Sequence, residues 1–344
     1  MSALRIGLAG FGYWGPNLAR NFAALDGVSV AAIADALPHR RAAAKSAYPA
    51  ARIDGDAAAL IADSALDALL IATPPATHAA LAAAALEAGK HVLAEKPLAG
   101  TAAEAARLGM LATRARRVLM VDHPHVYAPA VRAMRALVAS GELGAPLFAD
   151  AMRANLARFD ADIGVIDDLA VHDLAILDYV LGEAPRAVAA TARAHAPGET
   201  ENLALLTLHY ESALVAHVHA NRISPVKVRR LMLGGARKLA AFDDLEPAAK
   251  LTIHDRALFA EGDVPLEHAL RTGYRAGDAL VPRLDAAEPL AAMAAHFVEC
   301  IRSGAAPPTG AGGAARLLAV VEAARRSIAT GGRPMPVDGV HAGA

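Results

Sequence analysis

The chain has 344 residues, a length beyond which one hydrophobic core stops growing, so two domains are expected. Its 34 Lys and Arg balance 35 Asp and Glu, which argues against general affinity for nucleic acid or anionic membranes and favours small-molecule partners. Hydrophobic residues make up 55% of the chain, but much of this is alanine, and no apolar run reaches the ~20 residues that a membrane-spanning helix needs.

The amino-terminal residues and the cysteine usage favour the cytoplasm. Residues Leu4–Ala9 follow Met1 almost directly, without the basic and long apolar segments of an export signal. The single cysteine, Cys300, cannot form a disulfide within the chain, which fits a reducing compartment. We therefore expect a cytoplasmic protein.

Short apolar runs alternate with helical patterns from residue 4 to about 121, which is typical of βαβ units. Pro16 suits the first position of a helix, and Gly89 suits a left-handed helix end. Thr101 and Glu104 have the spacing of a capping box at the start of another helix. An α/β domain with a doubly wound parallel sheet is therefore predicted over residues 1–122, with strands at Leu4–Ala9, Val28–Ala34, Ala68–Ala72, His91–Ala94 and Val118–Val121.

The pattern changes after residue 122, where strands follow one another with Gly, Pro and acidic turns between them. Such a succession favours a largely antiparallel open sheet. Residues 123–344 are therefore predicted to form an α+β domain, with the last two helices able to pack back on the first domain. Its predicted strands are Pro146–Arg153, Arg186–Ala194, Leu203–Tyr210, Leu214–Asn221, Val226–Leu233 and Lys238–Phe242, and its predicted helices are Pro129–Ala139, Val171–Leu181, Pro289–Arg302 and Ala314–Ala329.

A glycine-rich turn between the first strand and the first helix predicts a dinucleotide site. In such a G-x-G-x-x-G turn the glycines permit a tight bend, approach of the pyrophosphate and close packing of helix on strand. Asp35 ends the second strand, where an acid hydrogen-bonds the adenosine ribose. Its carboxylate would repel a 2′-phosphate, so NAD is favoured over NADP, although His39, Arg40 and Arg41 lie close by. The turn consists of Gly10, Phe11, Gly12, Tyr13, Trp14 and Gly15.

Three further polar segments are candidates for catalysis or binding. Two of them, Ala72-Thr-Pro-Pro75 and Glu95-Lys96-Pro97, follow strands of the parallel sheet, where doubly wound folds bind ligands. Lys96 could equally be a solvated loop charge. In the third segment, Asp168 and His172 are four residues apart and share a helix face, but this spacing also fits a helix-capping acid and a structural histidine.

Taken together, these segments resemble the Gfo/Idh/MocA family of oxidoreductases, which includes glucose-fructose oxidoreductase and inositol dehydrogenase. The resemblance spans nearly the whole chain, and its most specific elements are Glu-Lys-Pro and Asp-x-x-x-His, in that order after the glycine-rich turn. The matching segments are Gly10–Asn17, Ala72–Pro75 with His78, Gly89–Pro97, Asp122–Ala130 and Asp168–Asp173.

The resemblance implies NAD-dependent oxidation or reduction at a secondary alcohol, with Lys96, Asp168 and His172 as catalytic residues. Oxidation of an alcohol needs a base for the hydroxyl proton and a cation near the developing oxyanion, roles that suit His172 and Lys96. Asp168 would support the substrate or the histidine. By the same resemblance, Thr73, Pro74, His78, Glu95 and Lys96 join the glycine-rich turn and Asp35 at the cofactor, and Arg153 and Asn155 join Asp168 and His172 at the substrate.

Several substrates and assemblies agree with this resemblance. The motifs look most like members that oxidise the 3-hydroxyl of UDP-N-acetylglucosamine or its uronic acid, while inositol, free-sugar and dihydrodiol dehydrogenases share the catalytic residues. A dinucleotide-binding sensor without turnover and a redox-assisted glycosidase are further alternatives. An open sheet face also predicts a homodimer or homotetramer.

A metal site is not predicted. His123 and His125 form one pair at alternate positions, and His217 and His219 form another, but neither pair has a cysteine or paired acids at ligand spacing. Alcohol oxidation assisted by a lysine also needs no zinc.

Overall fold

A computed structural model describes residues 3–156, 163–195, 200–255 and 277–339. The chain divides into two compact units: Met1–Tyr127 with Ala287–Leu318, and Ala128–Ala286 with Ala319–Ala344. Within the described ranges, no helix is both long and apolar enough to cross a membrane.

The described elements alternate between strand and helix in the first third of the chain and are mostly strands in the middle. The strands are β1 Leu4–Ala9, β2 Val28–Ala34, β3 Arg52–Asp54, β4 Ala68–Ile71, β5 His91–Glu95, β6 Leu119–Asp122, β7 Pro146–Leu156, β8 Ala187–Arg193, β9 Leu203–His209, β10 Val215–Asn221, β11 Ile223–Gly235, β12 Leu239–Asp243, β13 Leu251–His254, β14 Ala279–Leu280 and β15 Met335–Pro336. The helices are α1 Gly15–Ala23, α2 Pro38–Ala47, α3 Ala57–Ala62, α4 His78–Glu87, α5 Ala102–Ala115, α6 Pro129–Ala139, α7 Val171–Leu181, α8 Pro289–Ser303 and α9 Ala311–Ala329.

The first unit contains a parallel six-stranded sheet in the order β3-β2-β1-β4-β5-β6. Its central strand β4 is apolar throughout because both faces are covered: Leu69 and Leu70 point to opposite faces, and both are fully buried. Burial of each leucine side chain contributes about 1.5–3 kcal/mol to folding. The strand order reverses between β1 and β4, so the crevice at their carboxyl ends is the place where such sheets bind ligands. The predicted doubly wound parallel sheet is confirmed.

The second unit contains a mixed nine-stranded sheet in the order β14-β13-β12-β11-β7-β10-β9-β8-β15. Pairing within it is antiparallel except between β7 and β10. Residues along β9 alternate in exposure. Leu206 and Leu208 are buried, whereas Leu205, whose side chain points to the other face, is 48% exposed. One face of the sheet therefore belongs to the core and the other is open, as predicted for this α+β domain.

The predicted boundaries of strands and helices differ from the structure mainly near proline and glycine, which occur both in loops and at the ends of regular elements. The strand predicted to begin at Val226 begins at Ile223 instead, and the irregular register between Ile223 and Val228 accommodates Pro225. The predicted start of the last helix at Ala314 was wrong because its glycines resemble a loop; α9 begins at Ala311. The short elements β3 and α3 were not predicted, since their six or fewer residues carry little periodic signal.

Candidate active site

The glycine-rich turn connects β1 to α1, and two of its glycines are required by the packing of the protein itself. Gly10 has a left-handed φ of 94°, and a Cβ atom there would lie 2.3 Å from the Ala72 carbonyl oxygen. A Cβ atom at Gly15 would lie 2.1 Å from the Gly10 carbonyl oxygen. Gly12 differs, because a Cβ atom there would approach only the Arg40 guanidinium, at 3.2 Å. Side chains at the first and third glycine positions would therefore clash with the fold, whereas the second glycine leaves a space next to the turn.

The other side chains of this turn differ in exposure. Phe11 is 7% exposed and packs edge-on against Tyr48, whereas Tyr13 is 91% exposed. Trp14 is half-buried and is the residue immediately before α1. The cofactor contacts expected of Phe11 and Tyr13 remain predictions, although the backbone of both residues lies in the turn.

Asp35 lies beside this turn, at the end of β2. Its Oδ2 atom accepts a hydrogen bond from the Phe11 amide at 2.7 Å, and its Oδ1 atom accepts one from the Leu37 amide at 2.9 Å. The Arg40 guanidinium lies 3.8 Å from Oδ2, while Arg41 donates to the backbone carbonyl of Asp35. Each carboxylate oxygen can accept more than one hydrogen bond, so the two Asp35 oxygens can still accept hydrogen bonds from ribose hydroxyls.

This arrangement fits a dinucleotide. No side chain caps the amino terminus of α1. Pro16 has no N–H group and the Asn17 amide donates to the Trp14 carbonyl at 2.9 Å, so the Gly15 amide is the one of the first three positions that is open to a phosphate group. The space at Gly12 is where a pyrophosphate would approach the backbone, and the 7% exposed Asp35 carboxylate is held in place by the turn. The residues present therefore match the requirements of NAD.

His78 links the ends of β4 and β5. It is 1% exposed, and its ring nitrogens lie 2.7 Å from the Thr73 carbonyl oxygen and 2.8 Å from the Pro97 carbonyl oxygen. Thr73 in turn shares a 2.7 Å hydrogen bond with the Thr77 hydroxyl. His78 thus holds the loop of Thr73 and Pro74 against the loop that follows Lys96, and the arrangement supports an indirect contribution of His78 to cofactor binding.

Two acids meet at the carboxyl ends of β5 and β6. Glu95 and Asp122 are register partners, and Lys96 follows Glu95 directly. Burial, followed by the charge and hydrogen bonding of Asp122, raises the pKa of Glu95 well above its usual range. Burial also raises the pKa of Asp122 and lowers that of the neighbouring His123 to about 3. The charge of Lys96 opposes the shift at both acids and adds to the shift at His123, so the ammonium lies within electrostatic reach of all three groups.

In the second unit, Asp168 and His172 lie where a π-helical turn, Ile166–Ala170, leads into α7. Four residues correspond to somewhat more than one α-helical turn and somewhat less than one π-helical turn, so both side chains lie near one face in either geometry. Asp168 does not cap α7, because its own amide already donates within the helical ladder to the Gly164 carbonyl at 3.0 Å. His172 is half-buried.

Arg222, between β10 and β11, is a residue of this region that the sequence did not reveal. Its side chain is 1% exposed, its Nη2 atom donates to the Ile163 carbonyl at 2.7 Å, and the same atom lies 3.5 Å from Asp168 Oδ2. The neighbouring Asp167 instead pairs with Arg325 at 2.6 Å. Each acid of this segment therefore has its own cation, and Arg222 restrains Asp168 from the sheet side.

Arg153 of β7 forms a buried bidentate ion pair with Asp173 of α7. The two hydrogen bonds are 3.0 and 2.8 Å long, and the side chains are 4% and 5% exposed. This pair fixes the start of α7 against the sheet. The prediction that Arg153 binds the substrate remains a prediction, and this geometry supports an effect through α7. Asn155, on the same strand, is half-buried.

A cavity of about 1230 Å³ lies at the opposite, amino-terminal edge of the parallel sheet. It is lined by the start of β5 at His91, the end of α5 near Arg116, the end of α8 near Cys300, and the loop before α9. None of the glycine-rich turn, Asp35 or Lys96 lines it. This cavity is therefore separate from the candidate cofactor site, which is inferred from the chemistry of the turn and Asp35.

Comparison with known proteins identifies matches over both units. Residues 4–123 match the model of an oxidoreductase family with an NAD-binding Rossmann fold, and residues 131–238 match the GFO/IDH/MocA C-terminal domain. UDP-N-acetylglucosamine 3-dehydrogenase from Acidithiobacillus ferrooxidans is 30% identical over 86% of this chain and 90% of its own length. Its solved structure superposes with a TM-score of 0.81 at 27% identity, covering 96% of this chain and 99% of that one. D-apiose dehydrogenase from Paraburkholderia graminis is 29% identical over 92% of this chain and 85% of its own length.

Proposed function

Because this chain belongs to the GFO/IDH/MocA family of NAD-binding oxidoreductases, we propose that it transfers a hydride between NAD and a secondary alcohol of a sugar-like substrate. The observation that carries the proposal is the position of Lys96. Its cation follows β5 at the carboxyl edge of the sheet that also carries the glycine-rich turn and Asp35. A lysine at this edge could stabilise a negative charge that develops on a substrate bound beside the dinucleotide.

Each proposed catalytic residue has a distinct task. Bound NAD supplies the hydride acceptor. His172 accepts the proton of the substrate hydroxyl, and Lys96 stabilises the negative charge that develops on the same oxygen. Asp168 orients the imidazole or a substrate hydroxyl, and Arg222 holds that carboxylate in place through the 3.5 Å ion pair. Reduction of a ketone uses the same residues in reverse.

The substrate proposed first is a nucleotide-linked sugar oxidised at its 3-hydroxyl, such as UDP-N-acetylglucosamine or its uronic acid. The similarity to UDP-N-acetylglucosamine 3-dehydrogenase supports this proposal because it covers both domains of each protein. The similarity to D-apiose dehydrogenase extends over a comparable length and favours a second candidate substrate, a free sugar or polyol. The two candidates share the chemistry at the alcohol carbon and differ in whether a nucleotide is bound.

We further propose a homo-oligomer formed through the open face of the nine-stranded sheet. Leu205 and Met232 on this sheet are 48% and 42% exposed, which is costly for large apolar side chains in water. Light scattering at micromolar concentration should give the mass of a dimer or tetramer. A monomer would contradict this assembly.

The proposed function is tested by incubating the purified protein with NAD or NADP and a panel of UDP-N-acetylglucosamine, its uronic acid, D-apiose and myo-inositol. Reduction of the cofactor is followed at 340 nm, and products are analysed by mass spectrometry. We expect NADH and a 3-keto sugar nucleotide from the first pair of substrates. Cofactor binding without reduction by any alcohol would instead indicate a sensor, and glycoside cleavage without net NADH would indicate redox-assisted hydrolysis.

A further inference from the structure

A pair of carboxyl groups lies inside the first unit, where the ends of β5 and β6 meet. Asp122 is 1% exposed and is the direct register partner of Glu95. Among the residues that the structure describes, the buried Glu95 Oε1 and Asp122 Oδ1 atoms find no hydrogen-bond donor. One proton shared by the two acids would satisfy both atoms, since a protonated carboxyl donates and its ionised neighbour accepts. Burial of two like charges at paired positions of neighbouring strands disfavours ionisation of both acids.

The second oxygen of Asp122 connects this pair to the glycine-rich turn. The Trp14 indole N–H donates to Asp122 Oδ2 at 2.5 Å. Trp14 is the residue immediately before α1, at the helix end next to which a pyrophosphate would bind, and its carbonyl accepts the Asn17 amide of the first turn at 2.9 Å. Asp122 therefore accepts a hydrogen bond from the cofactor-binding turn through Oδ2, and its Oδ1 atom is left for a proton shared with Glu95.

Charge balance places Lys96 in the same network. The acid pair with one proton carries a single negative charge, and Lys96, next to Glu95 in the chain, supplies a single positive charge within electrostatic reach. His123 follows Asp122, and its low pKa keeps it neutral, so it adds no second cation. Retention of a fully buried carboxylate is costly unless it is hydrogen-bonded and its charge is compensated, and both conditions hold here.

We propose that Asp122 is a positioning residue that joins the glycine-rich turn to Lys96 through Trp14 and a proton shared with Glu95, so that this one carboxyl group sets both the cofactor-binding turn and the placement of the ammonium group. The proposal rests on the proposed function only in assigning the reaction step to Lys96. The link itself exists whether or not a sugar is the substrate.

The shared proton can be tested without turnover, because Trp14 is the sole tryptophan of the chain. Its emission should change as pH rises above the usual carboxyl range, when the pair loses its last proton and two charges face the indole. Glu95→Gln leaves Asp122 as the only acid of the pair and should abolish this alkaline transition. An unchanged transition in Glu95→Gln would overturn the shared proton.

The coupling can be tested with Asp122→Asn, which keeps the shape and an acceptor for Trp14 but removes the acid. Loss of one charge-assisted hydrogen bond should weaken NADH binding about 10-fold, measured by NADH fluorescence, and should lower kcat by a similar factor. Glu87→Gln, which removes an exposed carboxylate from α4, is the matched control. Unchanged NADH affinity in folded Asp122→Asn would overturn the proposal.

Trp14→Phe provides a second variant, since it removes the N–H group and keeps an aromatic ring. Its effect on NADH affinity should not add to that of Asp122→Asn, because both substitutions break the same link. Additive losses in the double variant would show two independent structural effects and would overturn the coupling. If no alcohol on the panel is oxidised, the emission and NADH-binding results still decide the proposal, so its failure is distinguishable from failure of the proposed function.

Discussion

Replacement of Asp35 by serine should narrow the preference of this protein for NAD over NADP. The Asp35 carboxylate is held by the Phe11 and Leu37 amides at 2.7 and 2.9 Å, so it cannot turn away from a ligand at the end of β2. A 2′-phosphate about 4 Å from this carboxylate would be repelled by about 4 kcal/mol per pair of unit charges at an effective dielectric constant of 20. Arg40, 3.8 Å from Asp35 with a side chain that is 42% exposed, offsets part of this repulsion, and water screens its charge.

The net preference expected from these opposing charges is about 2 kcal/mol, which corresponds to about 30-fold tighter binding of NADH than of NADPH. Asp35→Ser should reduce the ratio of the two Kd values to about threefold, and Arg40→Ala should widen it, because only the attraction is lost. Both ratios are measured by nucleotide fluorescence titration, with Glu87→Gln as a control. Equal binding of both nucleotides by the unaltered protein, or an unchanged ratio in Asp35→Ser, would refute this reasoning.

Four further variants separate cofactor binding, chemistry and folding. Lys96→Met should keep NADH affinity within about threefold and lower kcat by about 10²- to 10³-fold, because the cation matters most as charge develops on the substrate oxygen; fluorescence titration and the 340 nm assay measure the two effects. Asp173→Asn should lower the free energy of unfolding in urea by about 3–5 kcal/mol, since it leaves Arg153 buried without its carboxylate. Gly12→Ala should weaken NADH binding with little change in Tm. Gly10→Ala should lower Tm, because a Cβ atom at Gly10 would clash with the Ala72 backbone, whereas one at Gly12 would meet only the Arg40 side chain.

For each of these variants, one outcome would contradict the prediction. Near-normal turnover of a folded Lys96→Met would remove this lysine from the mechanism. A loss below about 1 kcal/mol in Asp173→Asn would mean that solvent reaches the Arg153 guanidinium. Equal effects of the two glycine substitutions on Tm would show that Gly12 also has a packing role.

The sequence predicted the elements that carry strong periodic or stereochemical signals. The helix at Val171–Leu181 was bounded correctly because Gly182 takes the left-handed φ of 67° that ends it, and Thr101 caps α5 through the Glu104 amide as its spacing indicated. The glycine-rich turn and Asp35 were recognisable because a dinucleotide restricts which residues can occupy them.

Other features arise only from tertiary packing. Arg222 lies between two strands, and no sequence motif surrounds it. Its 3.5 Å contact with Asp168 joins residues that are 54 positions apart in the chain. The ion pair of Arg153 and Asp173 likewise depends on how α7 packs on β7. The sequence did indicate that Asp122 and Glu95 lie at the same edge of the parallel sheet, since each ends an apolar run. Their direct pairing could be seen only from the strand register.

The most direct test of the proposed chemistry is the rate of NADH formation in a single turnover, measured between pH 5 and pH 9 for the unaltered protein and for His172→Ala with an alcohol that the substrate panel has identified. The unaltered protein should become faster as pH rises, because only neutral imidazole accepts the hydroxyl proton. His172→Ala should be about 10²- to 10⁴-fold slower, without that pH dependence, and should still bind NADH. Wild-type turnover with an unchanged pH profile in His172→Ala would contradict the assignment of His172 as the base.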